Sequence, residues 1–173
     1  MKTKITLVSL AFLLFSASLC AQNSTPSATV KAFYKFHLIG SGIFNTEEVK
    51  ARSRWFTPEL NTLLLRELKR EAEYLKANPT HKPHFGDGFP GQPYEECSKD
   101  GKGIKNVYSV GNATVIGNKA TVQVRFSNPK ACGGDLIGPY KLSLIKTKTK
   151  WRIADGTYPH GETLTADLKR KEY

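Results

Sequence analysis

The chain carries no recognisable catalytic or cofactor-binding motif, so its residues name no reaction class. Acidic side chains are scarce: 15 Asp and Glu stand against 26 Lys and Arg, a formal charge of +11. Such an excess favours anionic partners such as membrane head groups, acidic polysaccharides or nucleic acid. Here the cations are dispersed and no nucleic-acid-binding motif accompanies them, so nucleic acid is not the expected partner. The densest patch, Lys146, Lys148, Lys150 and Arg152, flanks a predicted hairpin turn, where charge also keeps a sheet edge from aggregating. Cysteine is rare, with Cys20, Cys97 and Cys132 alone, and Cys97 and Cys132 lack the spacing of a metal site. The apolar run Ile5 to Leu14 falls short of the roughly 20 residues that a lasting membrane anchor requires. Helical crossovers between strands are missing as well, which excludes a parallel α/β architecture.

What is present begins with a leader. Met1 to Ala21 runs from Lys2 and Lys4 through the apolar stretch to small residues, the order of a secretory signal peptide. Cys20 admits lipidation, but Leu19 stands where lipoprotein signals carry a small residue, so loss of that cysteine with the peptide is the favoured reading. Removal of residues 1 to 21 leaves 24 basic against 15 acidic residues, a charge near +9, and no transmembrane segment is expected after processing. The 173 residues, 39% of them hydrophobic, suit one domain, expected over residues 22–173. An exported chain meets an oxidising compartment, where Cys97 and Cys132 are expected to bond. The bridge would close a loop of about 35 residues and stabilise by about 3 to 4 kcal/mol in the chain-entropy model, less any strain.

Residues 107 to 156 are the organising stretch. Val107 to Val110, Ala113 to Ile116 and Ala120 to Phe126 read as separate runs, and the alternation of the last places Ala120, Val122, Val124 and Phe126 on one face. Gly117-Asn118 joins the second and third runs as a tight hairpin. After a Pro/Gly-rich connector from Ser127 to Gly138, Tyr140, Leu142 and Leu144 alternate with Lys141 and Ser143. Trp151-Arg152-Ile153 follows a turn within Thr147 to Lys150, and Asp155 to Pro159 turns the chain away. A curved antiparallel sheet of about four strands is predicted, its apolar face covered by other elements.

Helices supply the cover. Thr25-Pro26 opens a helix whose Val30, Phe33, Tyr34 and His37 should face the sheet, and Gly40-Ser41-Gly42 ends that segment. Asn45 with Glu48 offers a capping box for a short helix to about Ser53. Thr57-Pro58 starts the longest helix, with Leu60, Leu64, Leu68, Ala72 and Leu75 as its apolar stripe, and Asn78-Pro79 stops it. Residues 79 to 106 hold too many prolines and glycines for regular structure, although Phe85, Phe89 and Tyr94 suit a loop packed on the body. Glu162 to Lys171 reads as a last short helix with Leu164 and Leu168 docked.

This order of helices, long loop and antiparallel sheet ending in Lys150-Trp151-Arg152-Ile153 resembles the nuclear transport factor 2-like superfamily over about residues 26 to 170. Within it, the segment Phe85 to Tyr94, FGDGFPGQPY, is similar to a loop of exported bacterial proteins classed as domain of unknown function 3828. The resemblance implies an α+β cone, with a strongly curved sheet closed on its concave side by the helices and a pocket at the open end. Catalytic members line that pocket with carboxylates, Tyr and His. The positions here that answer to this are Tyr34 and His37, one helical turn apart, with Tyr140 and Asp155 from the sheet. A His37–Asp155 pair would serve general acid–base chemistry if brought within hydrogen-bond reach. The weightier reading makes Tyr34 and His37 interfacial residues of an amphipathic helix and Asp155 the cap of a turn.

Three functional expectations follow. The first is an exported, non-catalytic binding domain holding an apolar ligand or a partner segment in the pocket. The second is a small-molecule lyase or isomerase acting there through Tyr34, His37 and Asp155, against which the superfamily's dehydratase and isomerase motifs are not recognisable. The third is an inhibitor or immunity-type protein meeting an acidic partner with its basic surface. A homodimer through the open face of the sheet is compatible with all three. No cofactor or metal is implied: His81, His84 and Asp87 are spaced by three, but Pro83 opposes the helical turn that would gather them. Glu95 and Glu96 beside Cys97 read as solvated.

Overall fold

Proline lacks the amide hydrogen that a helix interior needs but fits the first turn, and two helices of this chain open on it. The computed structural model describes residues 25–37, 44–82, 97–99, 102–104, 107–127 and 136–170. Helix α1 (Pro26–His37) starts where the Thr25 hydroxyl accepts from the Ala28 N–H at 3.1 Å. Helix α2 (Thr46–Arg52) is capped by the Asn45 side chain, which accepts from the Glu48 N–H at 2.8 Å. A 3₁₀ turn, Ser53–Trp55, leads to α3 (Pro58–Ala77), capped by Thr57 accepting from Leu60 N–H at 3.2 Å. All three starts agree with the sequence signals.

Strands β1 (Cys97–Lys99) and β2 (Lys102–Ile104) pair antiparallel as a small sheet, in a stretch expected to lack regular structure. The main sheet is antiparallel in the order β3 (Val107–Ile116), β4 (Lys119–Ser127), β5 (Leu136–Thr147), β6 (Lys150–Thr157). The architecture is thus α+β, with helices packed against a four-stranded open sheet. Gly117 takes φ +59 at the first turn position between β3 and β4, a conformation glycine adopts without penalty, and the hairpin forms as predicted.

Several boundaries depart from the expectation. Val107 to Val110 and Ala113 to Ile116 are one strand, because Gly111 and Asn112 form an irregularity in the ladder with β4 rather than a turn. β5 starts at Leu136, inside the supposed connector, and β6 continues through Asp155 and Gly156 to Thr157. Ladder hydrogen bonds from a neighbouring strand satisfy the backbone there, outweighing the local turn preference of glycine and proline. The last helix is a single turn, α4 (Leu164–Asp167), although Leu164 and Leu168 are buried as anticipated.

The core lies between sheet and helices. Ala120, Val122, Val124, Phe126, Leu142, Leu144, Trp151 and Ile153 meet Val30, Phe33 and Tyr34 of α1 and Leu60 and Leu64 of α3. Phe56 bridges Ile153, and the Thr57 N–H donates to the Ile153 carbonyl at 2.9 Å, fastening the start of α3 to β6. The α3 stripe is corrected beyond Leu64: Leu68 is half-buried, Ala72 is exposed, and Glu67 and Glu71 are buried instead. Four residues exceed a helical turn, so a four-residue stripe drifts about 40° per step and leaves the interface. The leader Met1 to Ala21, the Phe85 to Tyr94 loop and Cys132 lie outside the described residues, and Cys97 is described in its backbone alone, so the expected Cys97–Cys132 bridge also falls outside them.

Candidate functional site

The inward stripe of α1 places Tyr34 against the far end of the sheet. Its ring meets Phe126 edge-on at 5.3 Å and Tyr108 at 5.7 Å. Tyr140 of β5 stands edge-on to Phe126 at 5.8 Å, Tyr158 just beyond β6 stands edge-on to Tyr140 at 6.2 Å, and His160 stacks on Tyr158. Gly138, at φ +111, lets the chain pass close to Tyr140; a Cβ there would lie 3.0 Å from the Tyr140 nitrogen. The result is an aromatic wall running from the buried Tyr34 through the half-buried Tyr140 to the surface. Burial raises the Tyr34 phenol above its ordinary value of 10, and the neighbouring Tyr140 and Tyr158 phenols raise it further. Burial raises Tyr140 too. These hydroxyls therefore stay protonated, each able to donate and accept. Among the described residues no hydrogen bond reaches the Tyr34 hydroxyl, although its side chain is 1% exposed.

His37 faces a different network. Its Nδ1 accepts from the Arg52 Nε at 2.7 Å, while Arg52 Nη1 donates to the Glu48 carbonyl at 3.1 Å and pairs with the Glu48 carboxylate. Arg52 is fully buried, and the His37 ring stacks on Phe33 at 5.0 Å. Burial, then the Arg52 charge, lowers the imidazole from 6.5 to about 3. With Nδ1 serving as acceptor, the ring is neutral and carries its hydrogen on Nε2. A base so weak, occupied by a guanidinium, has no proton-abstracting role near neutral pH.

Asp155 belongs to a third group. Its Oδ1 accepts from the N–H of Thr165 at 2.9 Å and of Gly156 at 2.8 Å, and Oδ2 accepts from the Thr165 hydroxyl at 2.6 Å. It pins the start of α4 to β6. Of the four residues singled out by sequence, the fold brings Tyr34 and Tyr140 to one wall, sets the His37 ring 6.2 Å from that of Tyr34, and leaves His37 and Asp155 with separate partners. Sequence reading missed Tyr158 and Arg52. Arg52 had a signal, lying three residues after the buried Val49 on the same face of α2; Tyr158 had none, because β6 was expected to end before it.

Among the described residues no three His, Cys, Asp or Glu side chains gather as metal ligands. His81 Nδ1 lies 2.5 Å from the Tyr74 hydroxyl, while His84, Asp87, Glu95 and Glu96 lie outside the described residues. No described helix is long and apolar enough to cross a membrane. Among the described residues, concavities include a polar one of about 350 Å³ beside Thr114, Thr121, Gln123 and Arg125, and a groove of about 560 Å³ between α1 and β3. Comparison with protein-family models, curated proteins and solved structures returned no match.

Proposed function

We propose that the chain is an exported, non-catalytic binding domain of the nuclear transport factor 2-like cone type, holding an apolar ligand or partner segment against the aromatic wall. The observation that carries this reading is the meeting of the Tyr34, Tyr140 and Tyr158 phenols on apolar rings, with the innermost hydroxyl unbonded among the described residues. Apolar walls with a few placed polar groups are the usual chemistry of small-molecule recognition. The engagement of His37 with Arg52 and of Asp155 with Thr165 favours this reading over the lyase or isomerase one, which calls on both residues as an acid–base pair. The Cys97–Cys132 bridge, in this reading, ties the long loop over the open end of the cone.

The test is native mass spectrometry of protein purified from its own periplasm. The expected species lacks residues 1 to 21, is two hydrogens lighter than the reduced chain, and carries a co-purifying ligand. Tyr158→Ala, a change at a partly exposed ring, should shed that ligand while leaving the circular dichroism unchanged. Tyr34→Phe should weaken retention with little change in melting temperature, since it deletes a hydroxyl that has no hydrogen-bond partner among the described residues. Protein that is ligand-free in every preparation, or a ligand held equally by Tyr158→Ala, would refute the reading.

A further inference from the structure

Lys31 and Lys35 stand one helical turn apart on the exposed side of α1, a helix without any acidic residue, and neither forms an ion pair among the described residues. Like charges at this spacing repel, so the pair is not explained by helix stability. Lys31, Ala32 and Lys35 face Tyr108, Ser109 and Val110 of β3 across the open groove of about 560 Å³. Successive strand residues point to opposite faces, so a groove on one face of a sheet would meet every second side chain. Tyr108 and Val110 pack on the helix side of the sheet, and Ser109 between them also lines the groove, which places the strand's backbone along it. The strand's edge is open: β3 has β4 on one side and, among the described residues, no strand on the other. Its backbone is turned toward the helix, for the Ser27 hydroxyl donates to the Gly111 carbonyl at 2.9 Å.

We propose that this groove receives an extended acidic segment of a partner protein, added to β3 as a fifth strand alongside α1. The N–H and C=O groups of the edge that, among the described residues, neither β4 nor Ser27 engages would supply main-chain pairing, as in other strand-addition interfaces. Lys31 and Lys35 are separated by about 6 Å along the helix axis. Side chains on one face of an extended chain repeat at about 6.8 Å. Glutamates two residues apart therefore match the two ammonium groups, with their stems on Tyr108 and Val110. A second copy of this chain is disfavoured, because two-fold edge pairing would set the same lysines against each other.

The probe is a dye-labelled octapeptide of alternating Thr and Glu, titrated into the purified protein at low salt. Saturable binding that weakens as salt rises is expected, with hydrogen exchange slowed in Tyr108 to Gly111. Lys31→Glu combined with Lys35→Glu should weaken binding about tenfold, as expected for exposed charge pairs, and the reversed Thr/Lys peptide should then bind the double variant. N-methylation of alternate peptide nitrogens, which leaves charge and protein untouched, should abolish binding. Absence of peptide binding, binding that survives N-methylation, wild-type affinity in the double variant, or a dimer or anionic vesicle occupying this edge in place of the peptide would each overturn the proposal. Lys31, Lys35 and the β3 backbone take no part in the ring contacts of Tyr140 and Tyr158, so failure of the peptide to bind leaves the ligand test at Tyr158 standing.

Discussion

Arg52 has no exposed surface, and its guanidinium is nevertheless given a neutral acceptor in His37 and a carboxylate in Glu48. Arg52→Met keeps much of the volume but removes the donors that His37 and Glu48 share, and breaking a buried pair from one side costs about 3 kcal/mol. Urea denaturation should report that loss. Burial of His37, with the Arg52 charge beside it as the lesser cause, sets a pH dependence. The folded imidazole takes up a proton only below about 3, whereas the unfolded one does so below 6.5. Between those values the unfolded chain binds the extra proton, so this contribution to stability is complete above pH 6.5 and falls as the pH drops, by at most about 1.4 kcal/mol per unit. His37→Gln, which retains an acceptor for Arg52, should flatten that part of the melting-temperature profile. An unchanged slope would show that another group dominates acid sensitivity.

At the scale of elements, α3 and α4 show opposite uses of a carboxylate. Glu67 is 1% exposed, and Arg70 Nη2 lies 2.6 Å from its Oε2, yet among the described residues neither carboxylate oxygen gains a hydrogen bond of acceptable direction. Glu67→Leu alone strips Arg70 of its carboxylate and should lower the melting temperature, whereas Glu67→Leu combined with Arg70→Met, which replaces the whole pair by apolar side chains, should leave it unchanged or raise it. On the same helix Leu64→Ala should cost about 2 to 5 kcal/mol through the cavity it opens. Asp155, by contrast, accepts from Thr165 through both oxygens and holds α4 against β6. Asp155→Ala should cost about 1 to 2 kcal/mol and expose residues after Thr163 to limited proteolysis. This difference was hidden in the chain. Both residues are acidic, and the sequence placed Glu67 on no particular face and offered Asp155 either a place in a pocket or, as the weightier reading, the cap of a turn. The caps were legible throughout, because Thr25, Asn45 and Thr57 act within three residues of themselves.

For the whole molecule, the proposed clasp between Cys97 and Cys132 is open to a direct measurement. Reduction, or Cys132→Ser, should lower stability by about 3 to 4 kcal/mol through the freed loop. Equal melting curves with and without reductant would remove the bridge from the account. The antiparallel sheet of about four strands and its inward face were readable in advance, since alternation in Ala120 to Phe126 and Tyr140 to Leu144 is a local property with a period of two. The lengths of β3, β5 and β6 were not, because their ends are fixed by partner strands.

The sequence by itself determined the helix starts, the β3–β4 hairpin, the apolar face of the sheet and the excess of positive charge. Each depends on neighbouring residues or on composition. Only the tertiary structure decided that His37 answers to Arg52, that Asp155 serves α4, and that Tyr34 shares a wall with Tyr140 and Tyr158. Those relations join residues 15 positions apart in one case and most of the domain in another. Which of several chemically equivalent partners a buried donor or ring meets is set by how the layers pack, and that is not written in any local pattern.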